Sequence, residues 1–192
     1  MPEKPTYLGL LNAISLVESR AHAYLTAWAD VTPNPAVAAV LRTVAAREGE
    51  HGMSFAKRIN ELGFQLKPND DPGHQTQLDV ARSPRSDLEK MERLGVLRFC
   101  TDDGRDVFDG FFEDHSIDIR TGELLGRYIA EERDSLRLLA ACRAELEAAG
   151  TPPASTAPDR LDALEGKLDA VARAVDELRQ IVCAQTMPSG RD

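Results

Sequence analysis

Between residues 6 and 150 apolar positions recur at steps of three and four, and the rhythm breaks only where glycine and proline collect. That period predicts helices throughout. A first helix is expected over residues 6 to 30, closed by "VTPNP", and a second over residues 35 to 62, with Gly63 as its left-handed C-terminal residue. The stretch "FQLKPNDDPGHQTQLDVARSPR" has little periodicity and carries Pro68, Pro72, Gly73 and Pro84, so it is expected to be a long connection with room for a short helical turn. Ser86 with Glu89 three residues on forms a capping box that opens a third helical region. Gly95, Gly104 and Gly110 leave two readings of residues 86 to 116: one kinked helix, or a short helix followed by another at "VFDGFFEDH". A fourth helix is expected from an N-cap at Asp118 to Gly150.

The pattern then changes. After "TPPASTAP", Leu161, Leu164, Leu168, Val171, Val175, Leu178 and Val182 alternate steps of three and four, a heptad seam with charges at the other positions. A lone helix with so narrow a stripe has nowhere to bury it, which predicts a coiled coil between copies of the chain. The expected layout is therefore an all-α bundle over residues 1 to 150, a linker over 151 to 160, a coiled-coil helix over 161 to 185 that makes a homo-oligomer, and a flexible tail over 186 to 192.

Charge and composition narrow the partners. Thirty-two acidic residues against 23 Lys and Arg give a net charge of −9, which disfavours sequence-independent attraction to phosphate backbones, so nucleic acid is not expected as a partner. The apolar runs are too short for a membrane span, and the N-terminus lacks the charged start, apolar stretch and cleavage site of an export signal. A cytoplasmic protein is expected. Cys100, Cys142 and Cys183 are too far apart for a Cys-x-x-Cys metal site and are read as reduced thiols.

The candidate chemistry lies on the helix faces that should be apolar. At about 100° per residue, Glu48 and His51 fall within roughly 40° of the centre of the stripe set by Val37, Val40, Leu41, Val44, Phe55, Ile59 and Leu62. On the first helix Leu11, Ile14, Val17, Ala21, Leu25 and Trp28 define the buried face, and Glu18 lies about 60° from its centre. On the fourth, Leu124, Leu125, Tyr128, Leu139, Cys142 and Leu146 set the stripe, which puts Glu132 in the register of Glu48 and Ser135 in that of His51. Glu131 and Asp134 share the spacing, but Asp134 falls about 120° off the stripe, so Glu132 is the preferred inward group. A buried carboxylate is costly unless it is protonated, paired or bound to a cation. Inward carboxylates on facing helices with a Glu-x-x-His at i and i+3 form the ligand set of a carboxylate-bridged iron or manganese site, whose hard oxygen and imidazole donors suit those metals.

On these residues, Glu18 with Ala21 and Tyr24 and then "AAREGEHGMSFAKRINELG", the first helical hairpin resembles the ferritin-like superfamily, nearest to rubrerythrin-type domains. The resemblance implies a four-helix bundle with one long crossover, and an iron or manganese protein acting as an oxidase, a peroxidase or in iron handling. It also implies metal ligation by Glu18, Glu48, His51 and Glu132, and an external electron donor, because the paired Cys-x-x-Cys motifs of an attached rubredoxin domain are absent. The chain departs from the family in two further respects. Its second Glu-x-x-His reads "ERDS", with Ser135 where histidine is expected, and its third helix offers only Asp103, Asp114 or His115 as a ligand. The competing reading from the same residues is a metal-free ferritin-like scaffold, assembled through the coiled coil.

Overall fold

A computed structural model describes residues 3 to 97 and 108 to 150. Among them every regular element is helical: α1 (Leu8–Ala29), α2 (Pro35–Glu61), α3 (Pro72–Arg82), α4 (Asp87–Leu94), a 3₁₀ turn (Asp109–Phe112) and α5 (Ile119–Gly150). The predicted coiled coil over residues 161 to 185, the linker before it and Asp103 lie outside the described residues.

Local chemistry explains the boundaries. Asn34 caps α2 by accepting from the Ala36 and Val37 amides at 3.0 and 3.3 Å, and Pro35 takes the first helical position, where no amide donor is needed. The same helix ends at Gly63, whose φ of 84° lets the Phe64 amide reach the Ile59 carbonyl at 3.1 Å and the Gly63 amide reach that of Asn60 at 2.9 Å. Phe64 then packs in the same apolar cluster as Ile59. Ser86 and Glu89 form the expected capping box, and Gly95, at φ 61°, stops α4 after eight residues. Residues 86 to 97 are thus a short helix and its cap, and in place of the helix offered at "VFDGFFEDH" there is a four-residue 3₁₀ turn over Asp109–Phe112. Asp118 caps α5 through the Thr121 amide at 3.2 Å.

Three details depart from the sequence reading. The long connection holds an 11-residue helix, α3, started by Asp71 and Pro72 where a single turn was foreseen. Its one fully buried residue, Ala81, gives too narrow a stripe to register as a period. Val17, placed on the buried face of α1, is 47% exposed, and Phe112, which a helical period over "VFDGFFEDH" sets on one face with Phe108 and Phe111, is 48% exposed.

The three long helices carry a layered core. One apolar cluster gathers Ala21, Leu25, Trp28, Val37, Leu41, Val44, Leu139 and Cys142 with residues of α3 and α4. A second gathers Leu11, Ile14, Phe55, Ile59, Phe108, Leu125, Tyr128 and Ile129. Between them, at mid-height of each long helix, lie Ser15 and Glu18 of α1, Glu48 and His51 of α2, and Glu132 and Ser135 of α5. The α1 and α2 backbones approach closely there. A Cβ on Gly52 would stand 2.6 Å from Ser19 Oγ and 3.2 Å from backbone atoms of Ser15 and Ser19, so only glycine fits, and Ser15 Oγ donates to the Gly52 carbonyl at 2.8 Å.

Candidate metal centre

The polar layer brings together the four residues singled out in the sequence. Glu18, Glu48, His51 and Glu132 each present one donor atom, and all four atoms lie within 4.8 Å of one another. Glu18, Glu48 and His51 are 5%, 5% and 3% exposed, and Glu132 is half-buried. With metal–ligand bonds of about 2.1 Å, donors on opposite sides of one ion are roughly 4.2 Å apart, so a small inward rotation closes the set around a single ion. This group could hold a metal ion.

His51 is held from both sides by α5. Its Nε2 meets the Glu131 carboxylate at 2.7 Å, while its Nδ1 faces Glu132 Oε1 at 3.2 Å. Nδ1 and that Glu132 oxygen are nevertheless buried without a hydrogen-bond partner. Two lone-pair atoms side by side in a protein interior are costly, and a positive charge between them, a metal ion or the proton of an imidazolium, satisfies both. Glu131 is the outer partner such a ligand needs. With the Nε2 hydrogen donated to a carboxylate, the imidazole tautomer is fixed and Nδ1 is left as the acceptor for a metal. The sequence offered Glu131 and Glu132 as alternatives; α5 uses Glu132 in the cluster and Glu131 behind the histidine.

The carboxylates are electrostatically crowded. Burial, a hydrogen bond to Glu18 and the charges of Glu18 and Glu132 push Glu48 up to about 11, against a weaker opposing effect of Arg47. Burial and the Glu132 charge also raise Glu18, although hydrogen bonds from Glu48 and Tyr128 work the other way. At neutral pH, therefore, the metal-free pair keeps a proton on Glu48 and donates it to Glu18, which also accepts the Tyr128 hydroxyl at 2.9 Å. For His51, burial disfavours the imidazolium, but Glu132 and Glu131 outweigh it and the value rises.

Two participants were not foreseen. Tyr128, counted among the apolar stripe of α5, sets its ring edge-on to His51 with centroids 5.0 Å apart and gives its hydroxyl to Glu18. The 3.6-residue period does place it one turn before Glu132, so its polar end could have been read as reaching the layer. Arg47 donates to Ser135 Oγ at 3.2 Å and pairs with Asp134 at 2.8 Å. A guanidinium therefore stands beside Ser135 at the edge of the layer. Asp114 bonds Thr6 and Ser116, and His115 is exposed; neither joins the cluster. Among the described residues no helix is long and apolar enough to cross a membrane.

Comparison with family models, curated proteins and solved structures gives no match for this chain.

Proposed function

We propose that this chain is a ferritin-like iron or manganese protein holding one ion per chain, and that it works as an oxidase or peroxidase or in iron handling. The observation that carries the reading is the convergence of Glu18, Glu48, His51 and Glu132, four donor atoms within 4.8 Å of one another, with His51 Nδ1 and Glu132 Oε1 buried face to face and making no hydrogen bond. Iron or manganese bound there would supply redox chemistry toward oxygen or peroxide. The chain's own residues supply the rest. Glu18, Glu48 and Glu132 bring oxygen donors, His51 brings nitrogen, and Glu131 orients the imidazole. One ion rather than two is favoured because Ser135 replaces a second nitrogen ligand and Arg47 brings a positive charge to its side. The reading carries with it a cytoplasmic setting, an external electron donor for any redox cycle, and a homo-oligomer made through residues 161 to 185.

The test is elemental analysis of protein purified without added metal and again after anaerobic loading with Fe(II) or Mn(II). About one ion per chain is expected in the wild type, and less than a tenth of that in Glu48→Ala. A wild type that retains neither metal after loading overturns the proposal. That result would favour the scaffold reading, which one observation also supports: the chain of hydrogen bonds from Tyr128 and Glu48 to Glu18 lets two of the carboxylates share a proton without any cation. The oligomer claim is separate. Truncation after Gly150 should leave a folded helical unit of lower mass by sedimentation, and an unchanged assembly would refute the coiled coil.

A further inference from the structure

A cavity of about 240 Å³ leads from the carboxylate layer to solvent, bounded by α1, α3 and α5. Glu18, Glu48 and Glu132 line its inner end, and half-exposed Val17, exposed Asp71 and Arg20 line its outer end. Even with a proton on Glu48, three carboxylates outnumber one guanidinium in this lining, so the passage favours cations over anions. Between α2 and α5, by contrast, ion pairs close the layer. Glu131 meets His51 at 2.7 Å and Arg127 at 3.0 Å, Arg127 reaches Glu50 at 3.1 Å, and Arg47 holds Asp134 at 2.8 Å. We infer that the cavity is the passage by which a divalent cation enters and leaves the buried cluster, and that Arg20, fastened across its outer end, is the latch that sets the rate. Both roles rest on the metal reading, which supplies the ion's destination.

Size and wall chemistry suit an ion that arrives with its water. Six waters at ~30 Å³ each occupy roughly 180 Å³, so a hydrated divalent ion fits and exchanges water for carboxylate oxygens at the inner end. Gln77 and Ser135 add neutral polar groups to the walls. Arg20 spans from α1 to the connection between α2 and α3. Its Nη1 donates to Asp71 Oδ2 at 2.9 Å, and its Nη2 donates to the Asn69 carbonyl and Oδ1 at 2.8 and 2.6 Å. The other Asp71 oxygen accepts from the Gly73 amide at 2.9 Å, so one carboxylate both starts α3 and holds the arginine. A guanidinium in this place opposes an incoming cation twice: by its charge, and by occupying three oxygens that would otherwise receive the ion or its water. The hold is breakable all the same. Asp71 is 38% exposed, where an ion pair adds little to stability, and residues 64 to 71 carry no regular secondary structure, so the side chain can swing out with little else moving. A cation at the mouth competes for the same three oxygens and releases the arginine as it arrives.

The test is the kinetics of Mn(II) exchange in the full chain. Uptake is followed after rapid mixing by loss of the paramagnetic resonance signal of free Mn(II), and release by the colour that forms with an excess of pyridylazoresorcinol. A group that only gates a passage changes both rates by the same factor and leaves the equilibrium alone, whereas a ligand changes the equilibrium. Val17→Trp sets a large side chain over the mouth from a position already half in solvent. It should slow uptake and release alike by at least about tenfold, with the dissociation constant kept within about threefold and the helical circular dichroism unchanged. Arg20→Ala removes the latch and should speed both rates by at least about fivefold, and Asp71→Asn, which loosens it, should move them the same way by less. Wild-type rates in both Val17→Trp and Arg20→Ala overturn the passage and leave the metal reading intact. Faster uptake with slower release in Arg20→Ala would mean that its charge lowers affinity without gating, and overturns the latch. A wild type that takes up no Mn(II) at equilibrium sinks the metal reading, and the passage with it.

Discussion

Replacing Glu48 by glutamine should make the metal-free protein more stable while destroying its affinity for metal. In the unfolded chain Glu48 titrates near its ordinary value of 4.5 and is ionised at pH 7, whereas in the folded protein burial and Glu18 push it up to about 11 and it carries a proton. Folding at pH 7 therefore takes up a proton, over two and a half pH units at about 1.4 kcal/mol each, a cost of about 3 kcal/mol. That figure depends on the unfolded value and on the folded one lying anywhere above neutrality, not on how far above. Because the folded state binds the extra proton, this contribution destabilises progressively as pH rises from about 4.5 and levels off only near the folded value. Glutamine has nearly the same shape, never ionises, and offers an N–H to Glu18 where the protonated acid offered an O–H. Urea denaturation of both proteins stripped of metal should show Glu48→Gln ahead by about 3 kcal/mol at pH 7, near parity at pH 5, and a gap widening by about 1.4 kcal/mol per pH unit between 6 and 8. In thermal melts at pH 7 the gain is roughly 6 to 12 °C for a chain of this size. A glutamine variant less stable than wild type at pH 7, or a gap that does not change with pH, would show that Glu48 is ionised in the metal-free protein and refute the reasoning.

Three further outcomes follow from neighbouring contacts. Glu131→Gln removes the charged partner of His51 Nε2, and calorimetric titration with Mn(II) should show affinity reduced by about 10- to 100-fold, with ion stoichiometry kept. Gly52→Ala forces α1 and α2 apart at the polar layer and should cost about 1–3 kcal/mol in urea denaturation, together with weakened metal uptake; an unchanged denaturation midpoint would contradict the close approach. Asp118 has the opposite pH sign to Glu48. Its burial is outweighed by hydrogen bonds from Thr121, Tyr7 and Arg58, which hold it well below the usual carboxylate range. Its contribution is therefore present above about pH 4 and lost as pH falls through the folded value. With the side chain 38% exposed, Asp118→Asn should cost only about 1 kcal/mol at pH 7 and a smaller amount at pH 2, read from denaturation at the two pH values.

The site was legible because each of its residues breaks a strong local pattern. Glu48 and His51 interrupt a stripe of seven apolar residues, and the angular arithmetic that placed them inward needs nothing beyond helix geometry. Glu18 and Glu132 required only that two more stripes face the same core. What the sequence withheld depends on how helices pack. Whether Glu131 or Glu132 reaches His51 turns on the rotation of α5 by less than one residue's angle, and the answer, one carboxylate on each ring nitrogen, is invisible until both helices are in place. Val17 shows the same limit in reverse. It fits the α1 stripe, but it lines an open cavity of about 240 Å³ beside the carboxylate layer and half faces solvent. Helix α3 escaped because its packing needs only small and half-buried side chains along one edge, which leaves no 3.6-residue signal to read.

The same carboxylates govern both stability and metal affinity, and that coupling separates the two functional readings. If the layer were only a scaffold, a neutral residue at position 48 would give about 3 kcal/mol of stability with nothing lost, and retaining glutamate would have no physical compensation. If the layer binds an ion, the cost recurs only in the metal-free state. An ion at about 100 times its dissociation constant stabilises the folded chain by about 2.7 kcal/mol, close to the cost of keeping Glu48 protonated in its absence. Binding also displaces that proton, and the Nδ1 proton wherever His51 is an imidazolium, so the logarithm of the affinity should rise by at least about one for each pH unit between pH 6 and 8. Metal should thus erase the stability gap between wild type and Glu48→Gln, and do so more completely at higher pH. A gap of the same size with and without Mn(II) would leave the buried acids without a cation to justify them.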